Sequence, residues 1–261
     1  MPFGADGGLL SGGKNSGPML ELRNPHSILA ALDVRPRAVR SIQLNRQNPA
    51  APWDTVLEAA ARRGVPVRTG RKDRPQQGRR RETERFGAGS ATVEPPSPVP
   101  VGNLWKKKQD GECGLWLALD QVQDPQNLGA IFRLAGFFGV RGILMTKDNS
   151  APMNATVCDV ATGGVEYTPY AIVTNLTQAL QKAQKSDLWV LGTCERADES
   201  IRTVDRGRNW ILVMGNEGDG LRRLTRDTCD TLVSLPPLGQ VPSLNVAAAT
   251  SACLTALTMD S

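Results

Sequence analysis

The chain has one histidine, His26, in 261 residues, and its five cysteines (Cys113, Cys158, Cys194, Cys229 and Cys253) are widely spaced with no C-x-x-C pair. A structural zinc site draws on about four clustered thiolate or imidazole ligands, and this inventory supplies no such cluster. One histidine, remote from other candidates, leaves Ser-His-Asp and Cys-His hydrolysis without a base, so His26 reads as an ordinary side chain of an N-terminal helix. No run of eighteen apolar residues occurs, which removes the hydropathy signal of a spanning helix. The opening stretch, MPFGADGGLLSGGKNSGPML, has neither a hydrophobic signal core nor Arg-rich amphipathic character. The expectation is a soluble, cytoplasmic protein with no membrane partner, no metal and a disordered start over 1–18; a mitochondrial homologue is compatible with the same signals.

What is present begins with an apolar content of 40%, enough for a sizeable core in one large or two small domains. Charge is divided unevenly. Residues 1–112 hold nineteen Lys and Arg against eleven Asp and Glu, net +8, while residues 113–261 hold twelve against fifteen, net −3. A basic half joined to a weakly acidic one points to a polyanion partner, most economically nucleic acid, or to a solvated arginine-rich surface.

Residues 19–69 read as a small α/β unit: helix PHSILAALDV, strand VRSIQL, helix WDTVLEAAARRG with Gly64 at its C-cap, and strand VPVRT. From Gly70 to Gly111 the chain is rich in Arg, Gln, Gly and Pro, with RRRETER, EPPSPVPVG and WKKKQDG, and reads as linker. From Cys113 onward the apolar runs LWLALD, RGILM, DLWVLGT, NWILVMG and DTLVSLP alternate with helical segments. That alternation predicts an α/β domain with a mostly parallel sheet covered on both faces, whose ligand sits beyond the carboxyl ends of the strands.

Three strand-end loops follow that rule. After LWLALD, Asp124-Pro125 starts a helix that carries Asn127, Gly129 and Arg133. After NWILVMG, the loop NEGDGL has glycines at 215, 218 and 220 around Asn216 and Glu217, which lets backbone approach a ligand closely. It fits neither G-x-G-x-x-G nor the P-loop pattern, which disfavours a dinucleotide or a nucleoside triphosphate. After DTLVSLP, Pro236, Pro237 and Gly239 break the strand, Ser243 falls at an N-cap-like position, and Val246 to Ala249 give a low-bulk helix face. Each loop alone is explained by a capped turn; three in one domain favour a bound small molecule.

Together D-P-Q-N-L-G-A-I-F-R, M-G-N-E-G-D-G-L and L-P-P-L-G-Q-V-P-S-L-N-V strongly resemble the SpoU/TrmH branch of the SPOUT RNA methyltransferases, in the family's order and approximate spacing. The resemblance covers 113–261. Upstream, R-N-P-H-S-I-L-A-A-L and Gln76-Gln77-Gly78 resemble the ribosomal-protein-like RNA-binding domain of RlmB-type rRNA enzymes, although the usual glycine near Leu22 is missing. This implies a disordered start at 1–18, an RNA-binding domain over 19–82, a linker over 83–112 and a SPOUT domain over 113–261.

The resemblance further implies a deep trefoil knot in the SPOUT domain, a homodimer formed through it, and S-adenosylmethionine as methyl donor to a ribose 2′-hydroxyl. The cofactor residues it implies are Gly192, Thr193, Met214, Gly215, Asn216, Gly218, Leu235, Pro236, Ser243, Leu244 and Asn245, and the catalytic set is Asn127, Arg133, Glu217, Ser243 and Asn245. Methyl transfer from a sulfonium is an in-line displacement needing no metal, which agrees with the missing His and Cys clusters. Family members assign the arginine as base, reaching over from the partner subunit. Guanidinium is charged at neutral pH, so the alternative is that Arg133 grips phosphate or hydroxyl while Glu217 or solvent takes the proton. Leu134, Pro242 and Ala247 depart from the family pattern without removing any of these side chains. The substrate implied is 23S-type rRNA in preference to tRNA; a tRNA ribose methyltransferase and a non-catalytic RNA-binding or ribosome-assembly factor are the alternatives.

Overall fold

The computed structural model describes residues 18–45, 51–70, 88–105 and 113–259. The Gln76-Gln77-Gly78 motif and nearly all of the start expected to be disordered lie outside them, as do the arginines and lysines of RRRETER and WKKKQDG.

In the N-terminal unit, Asn24 caps helix α1 (Pro25–Val34) by accepting the His26 backbone N–H at 3.0 Å, and Pro25 supplies the preset φ of the first turn. His26 itself is exposed on α1. Helix α2 (Trp53–Arg63) ends on Gly64, which adopts the left-handed region at φ 66°. The helices pack on a four-stranded sheet of β1 (Leu20–Leu22), β2 (Val39–Leu44), β3 (Val67–Thr69) and β4 (Gly89–Val93), in the order β1-β4-β2-β3.

Strand β4 corrects the linker reading. It lies inside 83–112, yet it pairs antiparallel with both β1 and β2 and so is an interior strand of the N-terminal sheet. Its sequence GSATV alternates small residues, buried at Gly89, Ala91 and Val93, and carries too little apolar bulk to register as a strand. The proline-rich stretch after it is also held. Val99 donates its N–H to the Tyr170 carbonyl at 2.8 Å, the Tyr170 hydroxyl donates to the Pro96 carbonyl at 2.7 Å, and the short helix α3 (Val101–Leu104) brings Leu104 and Trp105 into the second domain's core.

The second sheet has the order β7-β6-β5-β10-β8-β11-β9, and every pairing is parallel. Its strands are β5 (Leu115–Leu119), β6 (Ile143–Thr146), β7 (Tyr170–Val173), β8 (Trp189–Thr193), β9 (Glu199–Ser200), β10 (Trp210–Met214) and β11 (Thr231–Ser234). Alternation places Leu117, Leu119, Leu212 and Met214 in one core and Trp116, Ala118, Ile211 and Val213 in the other, so both faces are dry. The first core is closed by α4 (Pro125–Phe137) and α9 (Val246–Thr258), which pack on each other, and the second by α7 (Leu176–Gln184). Burying Trp116 or Phe132 completely contributes about 1.5–3 kcal/mol each. Because the strands run in register, with Leu119 beside Met214, Gly192 beside Val213 and Thr193 beside Val233, the loops after β5, β8, β10 and β11 leave one edge together.

The two units are joined by directed polar contacts as well as by chain. Helix α5 (Ala155–Val160) packs against β1 and α6 (Gly164–Tyr167) against α1. Asp159 accepts the backbone N–H groups of Arg23 and Asn24 at 2.9–3.0 Å, and Ser27 donates to the Cys158 carbonyl at 2.7 Å. Arg35 grips Glu166 through Nε and Nη2 at 2.5 and 2.8 Å, and Cys158 completes the N-terminal core. Burial pushes the Asp159 carboxyl above its ordinary range despite the two backbone donors.

Candidate active site

The site grows from three turns at the shared sheet edge. Asp124 caps α4 by accepting the Gln126 N–H at 2.9 Å, which fixes the first turn and turns Asn127 inward, where it is 8% exposed. After β10, residues 216–220 fold back as a tight hairpin in which Asn216 and Gly220 exchange both backbone hydrogen bonds at 3.0–3.1 Å. Gly215 is required there, because a Cβ would lie 2.2 Å from the Gly220 carbonyl carbon. After β11, residues 235–245 run without regular structure into α9.

The cap of α9 is Asn245, not Ser243. The helix starts at Val246, and Asn245 Oδ1 accepts the N–H groups of Ala247 at 2.9 Å and Ala248 at 3.4 Å. Asparagine is as good a cap as serine, and it stands immediately before the helix while Ser243 is two residues short of that position.

Asn127, Glu217 and Asn245 meet although 118 residues separate the first from the last. Glu217 Oε1 accepts Asn127 Nδ2 at 2.5 Å, Asn245 Nδ2 at 2.8 Å and the Val246 N–H at 3.5 Å, and Asn245 Nδ2 also donates to Asn127 Oδ1 at 2.9 Å. Amide orientations follow from this closed ring. Capping turns Asn245 Oδ1 to the helix, so its NH₂ must face the other two side chains, and Asn127 must then present Oδ1 to Asn245 and Nδ2 to Glu217. Oε2 of Glu217 accepts no hydrogen bond among the described residues.

Beside this ring opens a cavity of about 520 Å³. Of the expected cofactor residues, Thr193, Met214, Gly215, Asn216, Gly218, Leu235, Pro236, Ser243 and Leu244 line it, together with Glu217. Gly192 does not; its missing Cβ makes room for Cys229 Sγ and Leu232 inside the second core. Asn245 is also absent from the lining; its side chain is engaged in the ring. Arg133 is exposed on α4, is absent from the lining and has no hydrogen bond or ion pair among the described residues.

Several lining residues escaped the sequence reading. Cys194, Glu195 and Arg196 directly follow β8 and were findable by the same strand-end rule that located the other loops; Arg226, from α8 (Arg223–Asp227), had no such signal. Burial pushes the thiols of Cys158, Cys229 and Cys253 up to about 12, so none is a nucleophile at neutral pH. Among the described residues no group of His, Cys, Asp and Glu could hold a metal ion, and no helix is long and apolar enough to cross a membrane.

Comparison with known proteins places this architecture. The sequence profile described as "SpoU rRNA Methylase family" matches residues 114–255. The 23S rRNA (guanosine-2′-O-)-methyltransferase RlmB of Pseudomonas aeruginosa is 41% identical over 237 residues, 88% of this chain and 92% of that protein. The enzyme of the same name from Bordetella pertussis is 38% identical over 232 residues, with the same coverage. Among solved structures, the SpoU methyltransferase AviRb from Streptomyces viridochromogenes, in complex with the cofactor AdoMet, superposes with a TM-score of 0.73 over 92% of this chain and 89% of that one, at 22% identity. Family profile and full-length relatives therefore converge on the domain that carries the Asn127, Glu217 and Asn245 ring, and the chain belongs to the SpoU rRNA methylase family.

Proposed function

We propose that this protein transfers a methyl group from S-adenosylmethionine to a ribose 2′-hydroxyl of 23S-type rRNA. The observation that carries the reading is the cavity bounded by the 215–221 hairpin and the 235–244 segment, with the amide and carboxylate ring at its side. The residues suit such a ligand. Met214, Leu235 and Pro236 offer an apolar wall for the adenine, and the prolines bring no N–H donor that would go unpaired against it. Backbone groups of 215–220 and Thr193 offer polar contacts at the edge. When bound, the sulfonium supplies an electrophilic methyl group, so the chain's own tasks are positioning and proton removal. Oε2 of Glu217, which accepts no hydrogen bond among the described residues, is the acceptor we assign to the hydroxyl proton, and Arg133 the cation that grips the substrate.

RNA ribose chemistry rather than another methyl acceptor is favoured by the relatives' names, and rRNA over tRNA by the presence of the N-terminal unit, which those relatives match nearly end to end. We assign RNA binding to that basic unit, a homodimer built on the α4 and α9 side, a trefoil knot formed by the segment running into α9, and action in the cytoplasm. Arg133 sits at an exposed face, outside the cavity lining and with no hydrogen bond or ion pair among the described residues, as the dimer reading requires of a residue supplied across an interface.

Two experiments test the reading. With tritiated S-adenosylmethionine, label is expected in the ribose of protein-free 23S rRNA and not in tRNA; label in tRNA alone selects the tRNA reading, and label in neither refutes the activity. Independently of turnover, S-adenosylhomocysteine is expected to slow alkylation of Cys194, which lines the cavity, and to leave exposed Cys113 unchanged. Peptide mass spectrometry reads both thiols in one sample, and slowing at neither thiol, or equally at both, would place the cofactor elsewhere.

A further inference from the structure

The hairpin over residues 216–220 is held at both ends by one short turn, and neither of that turn's two anchoring residues belongs to the ring. At its exit, Asp120 accepts the Arg222 backbone N–H on Oδ2 at 3.2 Å, and Arg222 Nε and Nη2 on Oδ1 at 2.7 Å each. The Asp120 side chain is completely buried, whereas that of Arg222 is 46% exposed. At its entry, the Asp120 N–H donates to the Met214 carbonyl at 2.8 Å, and Asn216 Nδ2 donates to the Gln121 carbonyl at 3.1 Å. Gln121 holds φ at +65°, a left-handed conformation that points its carbonyl at the hairpin instead of continuing the strand. Leu221, between the two anchors, is buried in the second core.

A buried carboxylate is expensive unless it is paired and hydrogen-bonded, and this one spends all its described contacts on the hairpin's exit. Without it, the 215–221 segment, with three glycines and exposed Glu217, Gly218 and Asp219, would keep the ring at Glu217, the Asn216 bond to Gln121 and its own two backbone bonds, but its exit would be held only by the burial of Leu221 among the described residues. We infer that Asp120 and Arg222 are positioning residues that hold the Gly-rich hairpin in the shape that binds the methyl donor. Neither side chain needs to touch the ligand: Asp120 and Arg222 are both absent from the cavity lining. The pair raises the fraction of chains whose hairpin is competent, and apparent affinity scales with that fraction.

The inference rests on the proposed use of the cavity, and its test separates the two. Arg222→Ala and Arg222→Lys are compared in the full chain, since a partly exposed position tolerates change better than Asp120. The first readout is amide hydrogen exchange of Asn216 and Gly220, which needs no ligand: faster exchange in Arg222→Ala, partly restored in Arg222→Lys, supports the clamp, and unchanged exchange overturns it. The second is calorimetry with S-adenosylhomocysteine together with steady-state kinetics. If the competent fraction falls to about a tenth, Kd and the KM for S-adenosylmethionine rise about tenfold while kcat at saturating donor moves far less. A fall in kcat with unchanged KM overturns the positioning role. If wild-type protein binds no S-adenosylhomocysteine, the proposed function fails, while the exchange result still decides the clamp.

Discussion

Arg133→Ala is expected to lower kcat for methyl transfer by about 10²–10³-fold, the usual cost of removing one preorganised electrostatic contact to the reacting group, while S-adenosylhomocysteine affinity stays essentially unchanged. The separation follows from position. Arg133 lies outside the cavity lining and carries no hydrogen bond or ion pair among the described residues, so its loss disturbs neither the hairpin nor the ring. Within one chain it is also remote in role: six residues after Asn127, it leaves α4 from an exposed position while Asn127 is buried. If a second copy brings it to the site, two inactive variants complement each other. Mixed one to one, Arg133→Ala and Glu217→Ala chains form about half heterodimers, each with one intact site, and recover about a quarter of wild-type activity. Arginine acting in its own subunit gives none.

The strand-end loops were legible because their residues are local signals. Asp124-Pro125, Gly215 and Pro236-Pro237 announce a cap, a close backbone approach and a strand break without any tertiary knowledge, and the register of a parallel sheet then gathers them at one edge. What local signals could not carry was partnership. The contact between Asn127 and Asn245 spans 118 residues, and the choice of Asn245 over Ser243 as cap depends on where α9 begins. Strand β4 was hidden for a different reason: GSATV has almost no apolar bulk, and its strand character comes from two neighbours, one of them more than seventy residues earlier by the Leu20 to Val93 pairing. Gly192, expected at the cofactor by resemblance, lies outside the cavity lining, and its missing Cβ leaves room for Cys229 and Leu232, since glycine serves close packing as readily as ligand approach. Asp120 and Arg222 went unnoticed because a strand-terminal aspartate and one arginine in a run of two carry no pattern of their own.

The ring's carboxylate joins three turns and, in the proposed reaction, also accepts the hydroxyl proton; substitutions can part these two roles. Glu217→Gln is expected to keep an amide oxygen where Oε1 accepts Asn127, Asn245 and the Val246 N–H, so the three turns stay joined and S-adenosylhomocysteine still binds. It places an NH₂ where Oε2 was, a donor where the hydroxyl proton must be accepted, and kcat is expected to fall by about 10²–10⁴-fold, the range for a general base. Glu217→Ala removes the acceptor as well. Asn127 Nδ2, on a residue 8% exposed, then has no partner, and a buried donor left unsatisfied costs about 1–3 kcal/mol. Thermal unfolding and cofactor affinity should therefore both drop in the alanine variant and neither in the glutamine variant, while both lose turnover. A fully active Glu217→Gln would confine the carboxylate to holding the turns together and hand proton removal to solvent; equal losses of stability in both variants would mean that the ring requires charge, since the glutamine oxygen can accept all three hydrogen bonds that Oε1 now accepts.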